Sequence, residues 1–156
     1  MTISFSEGYH LSERAIRLVK GVVGIYFIYL DEQTITYPFR CSRLIYIGLS
    51  ESKQNSIGNR LRGHLTGQSG NLGIKNYAQS HTAKFTFHSF ELLQTLGTRS
   101  LFELEDYFLT SFLDNFGAFP ICNGQSGVKV ATPFLDANRS RVFWDFFGPK
   151  NVTGSG

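Results

Sequence analysis

The chain has 156 residues, 42% of them hydrophobic and 15% aromatic. One compact domain of this size buries about 70% of its unfolded surface, so it needs no metal or disulfide staple, and global intrinsic disorder is excluded. Fifteen Lys and Arg against 12 Asp and Glu leave a net charge of +3, which suits a polyanionic partner without requiring one.

Cys41 and Cys122 form no CxxC pair, and no His/Cys cluster has zinc spacing. The polar N-terminal stretch has no apolar core of signal-peptide type, so reduced thiols and a cytoplasmic location are expected. No apolar run approaches the length that a membrane-spanning helix requires.

In chain order, Ser12 caps a short helix reaching Lys20. Val22–Leu30 is a β-branched and aromatic run of strand type, and Asp31–Arg43 is a long polar connection containing Pro38. Leu44–Gly48 is a second strand, antiparallel to the first because no crossover helix fits between them. A helix over about Ser56–Leu65 is followed by a glycine-rich loop, Thr66–Gly73, which lacks a Walker pattern and is not a nucleotide site. A short helix near Lys75–Ser80, a third strand over Lys84–Leu93 and a long helix over about Arg99–Phe116 come next. Gly117 and Pro120 stop that helix. Ile121–Gly127 ends in turn residues, and the aromatic tail Asn138–Phe147 reads as a last helix. The expectation is a single α+β domain over residues 1–152 with a polar tail at 153–156. Its three-stranded antiparallel sheet is flanked by helices and carries N- and C-terminal helical extensions.

On the long helix, Leu101, Leu104, Phe108 and Phe112 fall within about 80° of one another. Glu105 lies inside that stripe, whereas Glu103 lies opposite and completes a capping box with Ser100. A carboxylate on an apolar face either pairs with a cation or holds a metal. On the helix near residue 60, Arg60 and His64 are four apart and stand one above the other beside the face made by Ile57, Leu61 and Leu65. Arg62 points away. An Arg and a His so placed suit a phosphate, one as a clamp and the other as a proton carrier, and equally describe an ordinary helix edge. Tyr26 and Tyr46, on the first two strands, share a sheet face if the register allows, as core aromatics or as site residues. His81 and His88 read as surface positions, and Lys84, Arg40 and Arg43 as candidate contacts to a nucleic-acid backbone.

Gly24-Ile25-Tyr26 followed by Tyr46-Ile47-Gly48, the Arg60/His64 helix, Leu104-Glu105 on a later helix and Pro120-x-x-Asn123 together resemble the GIY-YIG nuclease family over about residues 22–125. The 19 residues between the two tripeptides exceed the spacing in many members, as in restriction-enzyme members with insertions there. The resemblance implies the GIY-YIG nuclease fold and a metal-dependent endonuclease acting on DNA, of restriction or mobile-element type. A homodimer would serve to cut both strands. It implies Tyr26, Tyr46, Arg60, His64, Glu105 and Asn123 as catalytic residues, with one Mg²⁺ or Mn²⁺ on Glu105, weakly held without DNA. Tyr26 corresponds to the family's proposed general base, with Tyr46 beside it; a tyrosine is a poor base near neutral pH unless cations assist, so the choice between the two stays open. Asn115 is the alternative to Asn123, which also suits a turn before Gly124. The competing readings are a repair-like, structure-selective nuclease module working with a partner, and an inactive nucleic-acid-binding protein.

Overall fold

The structure, a computed structural model, describes residues 2–80, 82–94, 100–123 and 141–150. Its centre is an antiparallel sheet of four strands: β2 (Tyr9–His10), β3 (Gly24–Leu30), β6 (Leu44–Ser50) and β7 (Ala83–Ser89), in the order β2-β7-β3-β6. Two smaller pairs lie outside it. One joins β1 (Thr2–Ile3) in parallel to β8 (Arg141–Val142); the other is a hairpin of β4 (Ile35–Thr36) and β5 (Cys41–Ser42) within the long connection. The helices are α1 (Glu13–Ile16), α2 (Ile57–Thr66), α3 (Leu72–Ser80), α4 (Phe90–Gln94) and α5 (Leu101–Phe116), with 3₁₀ turns at Arg17–Val19 and Trp144–Phe147.

The α+β class holds, but the sheet has four strands rather than three. The fourth, β2, pairs Tyr9 with Phe85 and His10 with Lys84. Two residues carry no alternation, which is why the pattern missed them. The third strand also ends earlier than expected, at Ser89, whose hydroxyl accepts the Leu92 N–H and starts α4. Ser12 caps α1 as expected, accepting from Ala15 N, but the helix tightens into the 3₁₀ turn after one turn. The C-terminal helix is not formed in the described part of its range. Phe143, Trp144, Phe146 and Phe147 cannot all share one face of an α-helix. Instead β8 pairs with β1, the Phe143 N–H reaches Ile3 O, and the 3₁₀ turn aligns Trp144 and Phe147, three apart, toward the core. His81, Arg99 and Gly124–Asn138 lie outside the described residues.

The sheet is buried on both faces. Ile25, Phe27, Ile47 and Leu49 pack against Leu104, Phe108 and Phe112 of α5 and against Trp144 and Phe147. On the other face Tyr26, Ile28, Ile45 and Phe85 meet Ile57 and Leu61 of α2, Ile74 of α3 and Ile16 and Val19 of the N-terminal segment. His88, expected at the surface, is buried among Phe5 and Phe27. The three cations considered for nucleic-acid contacts are engaged within the fold. Arg43 donates to the carbonyls of Gly148, Phe146, Asp31 and Leu30, Arg40 pairs with Asp145 at 2.8 Å, and Lys84 pairs with Glu7 at 3.2 Å.

Among the described residues the outer side of β6 is closed without a fifth strand. The Tyr37 hydroxyl donates to Leu44 O and accepts from Ile121 N, and Cys122 N–H donates to Ile45 O. The Asn123 amide then pairs with Ile47 as a strand would: Oδ1 accepts Ile47 N–H at 2.9 Å and Nδ2 donates to Ile47 O at 2.8 Å. An exposed edge is thereby satisfied and shielded from further pairing. A bulge leaves Ile45 out of register between Leu44 opposite Tyr29 and Tyr46 opposite Ile28.

Gly48 stands opposite Tyr26, and a Cβ there would lie 2.5 Å from the Tyr26 ring and hydroxyl and 2.7 Å from Tyr46. By contrast, a Cβ at Gly63 on α2 would meet nothing closer than 3.6 Å. Gly48→Ala is therefore expected to lower unfolding free energy by about 1–3 kcal/mol through overpacking. Gly63→Ala is expected to raise it by up to about 1 kcal/mol by removing a helix-interior glycine. Urea denaturation of the two variants beside the parent chain checks both signs.

Candidate functional site

β3 and β6 place Tyr26 and Tyr46 on the sheet face that carries α2. Tyr46 stands opposite Ile28, two residues along β3 from Tyr26, so the two rings are diagonal neighbours with centroids 6.0 Å apart. α2 begins at Ser56, whose hydroxyl accepts Asn59 N–H, and ends at Gly67, where φ of +89° requires the left-handed conformation glycine adopts without strain. Ile57 and Leu61 bury its inner face, which sets Arg60 and His64 over the tyrosines. Arg62 is exposed and pairs with Glu13 at 3.4 Å.

The His64 ring is nearly enclosed. Its Nε2 is 2.9 Å from the Tyr26 hydroxyl and its Nδ1 is 2.9 Å from Ser69 Oγ. The Arg60 guanidinium and Tyr46 also lie close enough to the Tyr26 hydroxyl to act on it electrostatically, Tyr46 raising its pKa and Arg60 lowering it. Burial, and secondarily the Arg60 charge, lowers His64 to about 4, so the imidazole is neutral at physiological pH with one ring nitrogen free to accept. Burial raises both tyrosines above the ordinary phenol value. They differ in access: Tyr26 is fully buried, whereas Tyr46 is half-buried and faces a hollow.

Two hollows meet at Arg60. One, of about 340 Å³, is walled by Tyr46, Arg60, His64, Ser69 and a set of amide side chains. The other, of about 410 Å³, is walled by Leu49, Ser50, Glu51, Asn55, Arg60, Phe102 and Glu105. Arg60 and Asn55 belong to both. Glu105 arrives from the opposite layer: α5 lies on the far face of the sheet, and its half-buried Glu105 comes round the C-terminal end of β6 to face Arg60. The Ser50 hydroxyl, donating toward Asn55 O and Ser52 O, fixes the loop on which this meeting depends.

Comparison of the chain with protein-family models, with curated proteins and with solved structures finds no match. The functional reading therefore stands on the residues and their geometry.

Glu105 makes no ion pair among the described residues, so the plain explanation of a carboxylate paired to a cation is not met. Burial first, and Asp106 next, raise its pKa to about 7, against a smaller lowering by Arg60. Ser100 accepts Glu103 N–H at 3.1 Å as the capping pattern requires, leaving Glu103 exposed. Among the described residues no three His, Cys, Asp or Glu side chains gather at metal-binding distance. A single desolvated carboxylate facing an open polar hollow fits a hard divalent ion that takes most of its ligands from water and substrate.

Five of the six expected site residues thus come together: Tyr26, Tyr46, Arg60, His64 and Glu105. Asn123 lines neither hollow; it is bound to the backbone of Ile47, between Tyr46 and Gly48. Its alternative, Asn115, is exposed on α5 and donates to Ser111 O. Ser69 joins the site from the glycine-rich loop, where the absence of a Walker pattern gives no sign of it. The available signal was a hydroxyl five residues after His64, across a glycine C-cap that folds the chain back. Ser69 Oγ also accepts Asn71 N–H, and Asn71 Nδ2 donates to Cys122 O, tying this loop to the segment that closes β6.

A His whose folded-state pKa lies below its unfolded value near 6.5 contributes full stability above that pH and loses it as pH falls toward 4. Glu105, raised in the fold, works in the opposite direction between about 4.5 and 7. The difference in unfolding free energy between the parent chain and His64→Gln isolates the first effect. It is expected to move in favour of the parent by about 2–3 kcal/mol between pH 4 and pH 7, measured by denaturant titration across that range.

Proposed function

We propose that the chain is a metal-dependent endonuclease that hydrolyses DNA phosphodiester bonds, as the GIY-YIG resemblance implies. The observation that carries this reading is Arg60 standing between a hollow lined by His64 and Tyr46 and a hollow lined by Glu105. A phosphate at Arg60 would meet a proton-handling network on one side and a carboxylate able to hold a divalent ion on the other.

The reaction joins a water oxygen to phosphorus as the bond from phosphorus to the leaving sugar oxygen breaks. The guanidinium of Arg60 meets the charge that grows on the non-bridging oxygens. Tyr46, the tyrosine open to the hollow, orients the water. Its proton passes by way of the Tyr46 and Tyr26 hydroxyls to His64 Nε2, so neither phenol need exist as free phenolate, which its burial disfavours. Phosphate at Arg60 offsets the positive charge that helps to lower His64 and so raises its affinity for that proton. For Nε2 to accept, Nδ1 must carry the ring hydrogen, and Ser69 Oγ receives it. Glu105 would hold one Mg²⁺ or Mn²⁺, which supplies Lewis-acid stabilisation of the phosphate and the leaving oxygen. Asn123 keeps Tyr46 in register by holding Ile47.

Supercoiled plasmid incubated with the protein should be nicked or cut with Mg²⁺ and remain intact with EDTA. Glu105→Ala should reduce cleavage by at least a hundredfold with its thermal transition retained. Discrete fragments would support the restriction or mobile-element type, and scattered nicks the structure-selective type. An intact plasmid and intact branched DNA in every condition would overturn the proposal.

Ser69→Ala is expected to lower the cleavage rate about tenfold and to shift its acidic limb, because the Nδ1–H tautomer is no longer held. Ser69→Thr should restore both. A pH–rate profile of the three proteins reads the effect, and unchanged profiles would remove Ser69 from the network.

A further inference from the structure

The hollow on the Glu105 side contains a wall that phosphate chemistry does not use. Phe102 leaves 56% of its surface exposed, whereas Tyr107, Phe108, Phe112 and Phe116, the other aromatic residues of α5, are buried. It stands three residues before Glu105, so both side chains project from one flank of the helix, and its ring lines the hollow beside Glu105, Arg60 and Glu51. The electrostatics of the two hollows differ. The His64 side presents Arg60 and amides with no carboxylate in its wall, which suits a phosphate. On the Phe102 side Glu105 would be taken up by the divalent ion, which leaves the exposed Glu51 carboxylate and the aromatic ring, neither of which suits a phosphate. A group with a flat apolar face and hydrogen-bond donors on its edge fits that wall, and a nucleobase is such a group. Glu51, exposed and without an ion pair among the described residues, is placed to accept from an exocyclic amino group.

We propose that this hollow is a nucleobase subsite, in which an unpaired base next to the cleaved phosphate stacks on Phe102 with its amino group toward Glu51. The inference rests on the nuclease reading and gives it a substrate class: nucleic acid that exposes a base face beside the cut, such as a single strand, a flap or a bubble. Within an intact duplex both faces of a base are covered by its neighbours, and Phe102 has nothing to stack on.

Phe102→Trp tests this directly. The chain has one tryptophan, Trp144, which is buried, so an indole at position 102 reports separately. The variant is titrated in EDTA with oligo(dC), oligo(dA), oligo(dT) and a blunt duplex, while anisotropy of labelled oligonucleotides follows binding to the unsubstituted protein. Saturable quenching by the single strands is expected, stronger for dC and dA than for dT, which lacks an exocyclic amino group, and weak for the duplex. Phe102→Ala should weaken single-strand binding about tenfold with an unchanged melting temperature. Glu51→Ala should erase the difference between dC and dT. Binding by anisotropy with unchanged indole emission, or equal quenching by the duplex, overturns the subsite and leaves the nuclease reading standing. Binding of no nucleic acid by the unsubstituted protein overturns both.

Discussion

The free edge of β6 is the constraint on which the rest of the arrangement depends. An edge strand leaves backbone groups that must be satisfied or hidden, and here the strand in question carries the central tyrosine and glycine of the site. The side chains of Tyr37 and Asn123 and the backbone of Cys122 take the place of a fifth strand, at bonds of 2.7–2.9 Å. Because Asn123 grips both polar groups of Ile47, the residues on either side cannot slide. Tyr46 keeps its diagonal relation to Tyr26, and Gly48 keeps the Tyr26 ring pressed against the backbone. The hydrogen-bonded Tyr26–His64–Ser69 group is thus positioned from behind the sheet as much as from α2.

Electrostatically the site is built from groups held away from their solution behaviour by burial. His64 is kept neutral, both phenols are kept protonated, and Glu105 is kept close to its midpoint at neutral pH. Arg60 acts on all four. It lowers His64 and counters the rise of the two tyrosines and of Glu105, and Glu105 in its ionised form favours the Arg60 charge in return. An anion placed at Arg60 would alter every one of these balances at once.

Much of this was legible in the sequence because its signals are local. The strand run ending at Leu30, the Arg60/His64 spacing and the position of Glu105 in the apolar stripe of α5 each depend on the period of one element, and the structure keeps them. The parts that were not legible depend on distant pairings. β2 and β8 are two residues long and exist through partners 74 and 76 residues away in β7 and 139 residues away in β1. The aromatic tail reads as helical by composition, yet Trp144 and Phe147 are drawn into the core beside Phe27, and Arg43 holds the backbone of Phe146 and Gly148. Ser69 was hidden for a different reason: it is only five residues from His64, but the contact exists only once the glycine-rich loop folds back.

Arg60 and Glu105 belong to opposite layers, with the sheet between them. The sheet therefore works as a calliper: the gap between the guanidinium and the carboxylate is set by how tightly α2 and α5 each seat on β3 and β6, not by any bond between the two side chains. Leu61 on one side and Phe108 on the other, both fully buried, are its shims. A protein built this way can have that gap reset from deep in the core, by residues that never touch either side chain.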